Sequence, residues 1–257
     1  MNKKLILILT AVLLVGLVLV GVSRLLGGSA PAAQSQDLQS SGELSPFTGI
    51  HIQVKSADIT ITEGDTYSVS YRLHGREPLK KLEVENGTLI LDTGFSAKWR
   101  GGLGDWQVLV TVPQGTQFKD LDLYSTAGSI RLEGFTFEEG SFSSVSGKVQ
   151  VTDCVAESVE AETTSGAITV TGSFEDVEAE SVSGEILVAG SVSDSVAADT
   201  VSGAITVQAP VQSIDAGNVS GGVYLNGENQ GKKLKLDLGD PTAELSSVSG
   251  RITIETK

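Results

Sequence analysis

One phrase recurs along the second half of this chain and restricts its fold more than any other feature. It reads STAGSIRL at 125–132, SVSGKVQV at 144–151, TTSGAITV at 163–170 and SVSGEILV at 181–188. It returns as TVSGAITV at 200–207, NVSGGVYL at 218–225 and SVSGRITI at 247–254. The glycines are Gly128, Gly147, Gly166, Gly184, Gly203, Gly221 and Gly250, at spacings of 19, 19, 18, 19, 18 and 29. A fixed period of this length marks a stack of small repeated units. Around each glycine the apolar residues alternate, as in Val177 and Ala179 before Gly184 and Ile186 and Val188 after it. Alternation with period two means strands. Each unit therefore reads as strand, Ser-Gly turn, strand and turn. The chain is predicted to be an all-β solenoid with 18–19-residue coils.

Four columns define the face that turns inward. Seven residues before the glycine stand Leu121, Val159, Val177, Val196, Ile214 and Ala243. Five before stand Leu123, Phe142, Ala161, Ala179, Ala198, Ala216 and Leu245. Two after come Ile130, Val149, Ile168, Ile186, Ile205, Val223 and Ile252, and four after Leu132, Val151, Val170, Val188, Val207, Leu225 and Ile254. Coils stacked about 4.8 Å apart turn these columns into continuous apolar ridges. Three before the glycine stand Ser125, Ser144, Thr163, Ser181, Thr200, Asn218 and Ser247. They are predicted to form a polar ladder bonded to the coils above and below. The glycines are read as structural, serving either a positive φ or a close backbone approach. No turn has the G-x-S-x-G form of a nucleophile elbow, so the serines are structural too.

The N-terminus has a different character. Lys3 and Lys4 precede 18 residues without charge, Leu5 to Val22. A helix of that length spans about 27 Å, close to the hydrocarbon core of a bilayer. The lysines place the rest of the chain outside the cytoplasm. Residues 1–28 are thus expected to be a single-pass anchor in the cell membrane, with a cleaved signal peptide as the alternative. Residues 29–45, small and polar, read as a flexible linker. The solenoid is expected over 46–257, with irregular first coils at 46–118 and regular repeats at 119–257. Within the irregular part, residues 56–61 resemble a worn copy of the phrase. The long interval before Gly250 carries an additional strand around Leu234, Leu236 and Leu238.

Charge and cysteine content narrow the function. The net charge is −14, and beyond residue 33 it becomes −17, from 15 basic and 32 acidic side chains. Such a surface repels nucleic-acid phosphates, so no nucleic-acid partner is expected. The single Cys154 excludes an internal disulfide and reads as a small buried hydrophobe. With only His51 and His74 beside it, a Cys/His zinc site is not expected either.

Two constellations are candidate sites. Glu162, Glu180 and Asp199 stand four before their glycines and share one outward column, with Glu160 and Glu178 in the next and Glu157, Glu175 and Asp194 in a third. Like charges one strand apart repel, and Ca2+ is a weak candidate to relieve that. The alternative is a solvated acidic face screened by salt. The Gly-rich loop 94–107 holds Trp99, Arg100 and Trp106, which suit binding to a sugar or a partner protein. The alternative is that they cover one end of the stack. Neither constellation assembles a nucleophile with a base, so no enzyme activity, catalytic residue or cofactor is expected.

The order of the motifs resembles a known family. Phe47-x-x-Ile50-x-Ile52-x-Val54 opens the domain, followed by Asp58-Ile59-x-Ile61 and by Val110-Thr111-Val112-Pro113-x-Gly115 ahead of the Ser-Gly repeats. Over Pro46 to Lys257 the chain resembles the bacterial "putative adhesin" β-strand-repeat family of cell-envelope proteins. The resemblance implies a right-handed, single-stranded β-helix-like solenoid outside the cytoplasm, often carried on one N-terminal membrane helix. Some relatives sit beside envelope-stress systems. It supplies no catalytic or binding residues. The expected role is an interaction or structural module of the envelope, in adhesion or stress response, with an envelope protein or wall polymer as partner. The alternatives are a polysaccharide-acting β-helix enzyme and a regulatory partner of a membrane sensor.

Overall fold

A computed structural model describes residues 38–73, 77–94 and 105–256. The anchor expected at 1–28 and residues 29–37 of the linker lie outside the described residues. Twenty strands and no helix occur among those described. In chain order they are β1 (Gln39–Glu43), β2 (Gly49–Val54), β3 (Asp58–Gly64), β4 (Ser68–Arg72), β5 (Leu79–Glu85), β6 (Thr88–Thr93) and β7 (Gln107–Pro113). Then come β8 (Gln117–Ser125), β9 (Ile130–Glu133), β10 (Thr136–Ser144), β11 (Val149–Thr163), β12 (Ile168–Ser181) and β13 (Ile186–Thr200). The last are β14 (Ile205–Gln208), β15 (Ser213–Asn218), β16 (Val223–Leu225), β17 (Glu228–Asn229), β18 (Lys233–Leu236), β19 (Thr242–Ser247) and β20 (Ile252–Glu255). β1 corrects the linker reading. Residues 39–43 pair antiparallel with β4, and their polar character reflects an edge strand exposed on both faces.

The regular coils stack in parallel and in register. Phe142 pairs with Ala161, Ala161 with Ala179, and Ala179 with Ala198. The four apolar columns are buried throughout, except that Leu225 in the short β16 is only partly covered. Large and small residues complement each other along the stack. At Gly140 a Cβ would stand 2.7 Å from the rings of Phe137 and Phe142, so the absent side chain makes room for Phe142. Phe137 and Phe142 meet edge to face at 5.9 Å, and Phe118 lies 5.6 Å from Phe135.

The Ser-Gly turns explain both halves of their name. The Ser144 hydroxyl donates to the Gly128 carbonyl of the preceding coil at 2.9 Å and accepts from its own Gly147 N–H at 2.9 Å. Ser125 and Thr163 do the same toward Ala57 and Gly147. The ladder therefore runs from hydroxyl to backbone rather than from hydroxyl to hydroxyl. Each glycine is required by a close approach. A Cβ on Gly166 would lie 1.8 Å from the Gly147 oxygen, and one on Gly147 would lie 2.0 Å from that of Gly128. Ser144→Ala leaves the Gly147 N–H and the Gly128 carbonyl without this hydroxyl in a buried turn. We expect a loss of about 1–3 kcal/mol in denaturant unfolding, against less than about 0.5 kcal/mol for the exposed Ser202→Ala.

The order of coils in space departs from the order in sequence at both ends. β13 does not pair with β15. It pairs with β19, and β15 stacks on the other side of β19. Likewise β20 lies between β14 and β16. The last coil of the chain is thus slotted in as the last but one of the stack, which accounts for the 29-residue interval. The N-terminal end mirrors this. β2 lies between β6 and β8, and β3 between β7 and β9. Residues 56–61 do form a coil of the solenoid, with Ile59 registered on Ile130. Antiparallel strands then finish each outer coil. β5 covers β6 and β4 covers β7 at one end, while β18 covers β15 and β17 covers β16 at the other. β18 is the additional strand expected near Leu234. The finishing strands carry charges, Lys81 with Glu83 and Glu85 on β5 and Lys233 and Lys235 on β18. Charged edges discourage further strand pairing.

Candidate functional site

The acidic columns lie where the alternation puts them. Glu162 pairs with Glu180 and Glu180 with Asp199, and in the neighbouring column Glu160 pairs with Glu178. Strand spacing brings successive carboxylates within about 5 Å. The side chains run parallel and outward. Among the described residues no group of three or more His, Cys, Asp or Glu is placed to hold a metal ion. Burial raises three of these carboxyls. Partial desolvation, reinforced by the neighbouring carboxylates, pushes Glu180 up to about 7. Asp199 is pushed up to about 6 by desolvation against a lowering hydrogen bond from Ser246, and Glu162 is also raised, by desolvation and then by Glu160 and Glu178.

The sign of the pH effect follows. A carboxyl raised in the folded chain binds its proton more tightly there than in the unfolded chain, where its value is about 4. The stability it contributes is complete below about pH 4 and is lost as pH rises through about 6 and 7. Between pH 5 and pH 8 the melting temperature is expected to fall by a few degrees. Glu180→Gln should raise it at pH 8 and leave it nearly unchanged at pH 5, as read by thermal denaturation.

A second outward face carries a groove of about 730 Å³ that crosses five coils. One register column through it is Gln117, Thr136, Val155, Ser173 and Ser191. Glu138, Glu157 and Glu175 line it beside that column, with Lys119 at the end nearer the N-terminal coils. Val155 is an apolar side chain left 51% exposed. The Ser191 hydroxyl donates to that of Ser173 at 2.8 Å. None of the three glutamates takes part in an ion pair among the described residues. Local irregularities of the strands shape this face. Asp153 has φ 54° and Gly134 φ 78°, and these are the extra residues that make their coils 19 long. In the 18-residue coil that residue is missing, and Gly172 pairs directly with Cys154. Sequence reading grouped Glu157 and Glu175 with the other acidic columns and assigned them no groove, because the groove depends on where the bulges fall.

The tryptophan loop is only partly described. Trp99 and Arg100 lie outside the described residues. Trp106 is 5% exposed and belongs to the core, with its backbone carbonyl accepting from the Asp58 N–H at 2.9 Å. Its ring is packed inward. Cys154 is buried, and burial pushes its thiol up, so it is a packing residue.

Sequence reading missed Glu77. It is 3% exposed and accepts from the Lys55 N–H at 2.6 Å, the Ser56 hydroxyl at 2.8 Å and the Thr93 hydroxyl at 2.6 Å. A lone glutamate in the irregular segment gave no sign that it would close the β2–β3 turn from the bend ahead of β5. Beside it the Lys55 amine donates to the Gly94 carbonyl at 2.8 Å. Desolvation lowers that ammonium, with Glu77 opposing the shift.

Comparisons bear on the fold. A family model described as Toastrack DUF4097 matches residues 47–255. A "putative adhesin" from Bacteroides fragilis is 14% identical, with 89% of this chain and 99% of that one covered and a TM-score of 0.45. A "putative adhesin" from Parabacteroides distasonis is 14% identical, with 85% and 96% covered and a TM-score of 0.41. From the same organism, a "Putative lipid binding protein" is 15% identical, with 84% and 96% covered and a TM-score of 0.40. Among curated proteins none matches. The family match agrees with the motif order, the repeat and the stacked coils and settles membership: the chain belongs to the Toastrack DUF4097 family.

Proposed function

We propose that this chain is a membrane-anchored, extracytoplasmic β-solenoid that serves as an interaction module of the bacterial cell envelope. The observation that carries the reading is the open groove across five coils, lined by Glu138, Glu157 and Glu175, none of which is in an ion pair among the described residues. The uncharged run after Lys3 and Lys4 supports the anchor and its orientation. Right-handed winding is the hand that parallel crossover connections take in nearly all cases. Envelope-stress signalling fits a solenoid tethered beside a membrane sensor, and adhesion fits one that reaches outward.

Cell fractionation and cross-linked capture test this reading. The full-length chain is expected in the membrane fraction, resistant to carbonate extraction and digested by protease added outside spheroplasts. A copy lacking residues 1–28 and exported by a separate signal should be released. Partners captured only by the anchored form would favour the sensor role, and wall polymer captured by the released form would favour adhesion. Recovery of the native chain from the cytoplasm would contradict the proposal.

A further inference from the structure

We infer that the groove across β8, β10, β11, β12 and β13 is a docking site for an extended, lysine- or arginine-rich segment of a partner protein. This rests on the interaction-module reading and adds the chemical class of the partner. Charge complementarity is the first argument. Glu138, Glu157 and Glu175 stand on successive coils beside the groove and are exposed, without an ion pair among the described residues, and Lys119, on the coil before Glu138, ends the row and leaves the groove with a net negative lining. Such a row raises the local concentration of a cationic ligand and steers its approach.

Spacing is the second argument. Two coil steps separate Glu138 from Glu175, about 10 Å at the usual strand separation. In an extended segment of polyproline II form, with three residues per turn, residues i and i+3 point the same way and lie about 9 Å apart. An extended segment laid along the stack can therefore reach the outer two carboxylates with basic residues three apart.

The remaining surface suits a peptide more than a sheet of lipid or a bare ion. The hydroxyls of Thr136, Ser173 and Ser191 offer donors and acceptors for a backbone or small polar side chains. The exposed Val155 gives the middle of the groove an apolar contact. The neighbouring acidic column, in which Glu160, Glu178, Ala197 and Glu244 are in register, is the natural internal control.

Fluorescence anisotropy with the full-length chain in detergent micelles tests the inference. The probe is a labelled oligolysine, beside an oligoglutamate and a neutral glycan oligomer. Saturable oligolysine binding that weakens as salt rises is expected. Glu138→Gln, Glu157→Gln and Glu175→Gln combined should weaken it roughly tenfold, since exposed ion pairs contribute about 0.5 kcal/mol each. Glu160→Gln, Glu178→Gln and Glu244→Gln remove the same charge from the other face and should change affinity less than about twofold. All six positions are solvent-facing, and thermal melts confirm that the variants fold. Equal losses in the two triple variants, or no oligolysine binding, would overturn the inference. Glycan binding that the groove variant abolishes would overturn the partner class while keeping the groove. The interaction-module reading fails separately, when cross-linked capture from cells returns no envelope partner.

Discussion

Removal of residues 240–257 is expected to unravel much more than the end of the chain. In a solenoid built in sequence order, the last coil would peel away and leave the coil before it intact. Here β19 and β20 are sandwiched, so their loss strips β13 and β14 on one side and β15 and β16 on the other. Ala243, Leu245, Ile252 and Ile254 are all buried. The three large side chains alone amount to roughly 5–9 kcal/mol of burial, comparable with the whole stability of an ordinary domain. The detached β15–β18 unit would keep almost no core of its own. Hydrogen exchange of the truncated protein should show protection lost throughout 205–236, while β8 to β12 remain protected, as expected for nearest-neighbour stability. Retained protection in β15 and β16 would contradict the slotted arrangement.

The second large effect concerns the turn glycines. At Gly184 a Cβ would lie 1.6 Å from the Gly166 oxygen and 2.8 Å from the Ser181 hydroxyl. The first contact is backbone, held in place by the stack on both sides, so no flexible side chain can yield. Gly184→Ala is expected to cost at least about 3 kcal/mol, at the upper end for overpacking. Gly217 offers the contrast. It also sits in a strand of the stack, yet a Cβ there meets nothing within 4 Å. Gly217→Ala should change stability by less than about 0.5 kcal/mol. Urea denaturation of the two variants separates a steric requirement from a general preference for glycine. Ala57 shows the same rule from within the fold. It takes the glycine's place below Gly128, where a Cβ would lie 1.9 Å from the Ala57 oxygen.

These residues also show what a sequence can and cannot disclose. The inward columns were legible because alternation and period are local and each repeat restates them. The serines and glycines were legible for the same reason, although the bonding pattern was not, since hydroxyl-to-hydroxyl and hydroxyl-to-backbone ladders need the same residues. The order of the end coils was hidden. Any coil can stack on any other when all present similar residues at similar positions. One trace of it exists. Ile214 and Ala216 repeat the large-small order of Val196 and Ala198, whereas Ala243 and Leu245 reverse it and fit between the two. The groove depends on bulges and the place of Glu77 on a bend ahead of β5 that returns to the β2–β3 turn, which no periodic signal encodes. Trp106 was legible as a large apolar residue in a loop, but its inward packing is set by the irregular N-terminal coils.

The slotted end coil is tested most directly by disulfide trapping. Asp199 is registered on Ser246, and Ser246 in turn on Gly217. Neighbouring parallel strands bring Cα atoms within disulfide range, about 4.4–6.8 Å, and two strand steps do not. Cys154 is buried with its thiol pushed up, so it competes little. The pair Asp199→Cys with Ser246→Cys should cross-link readily under mild oxidation, and Asp199→Cys with Gly217→Cys should not. Cross-linking of 199 to 217 without 199 to 246 would show coils stacked in sequence order and would contradict this account.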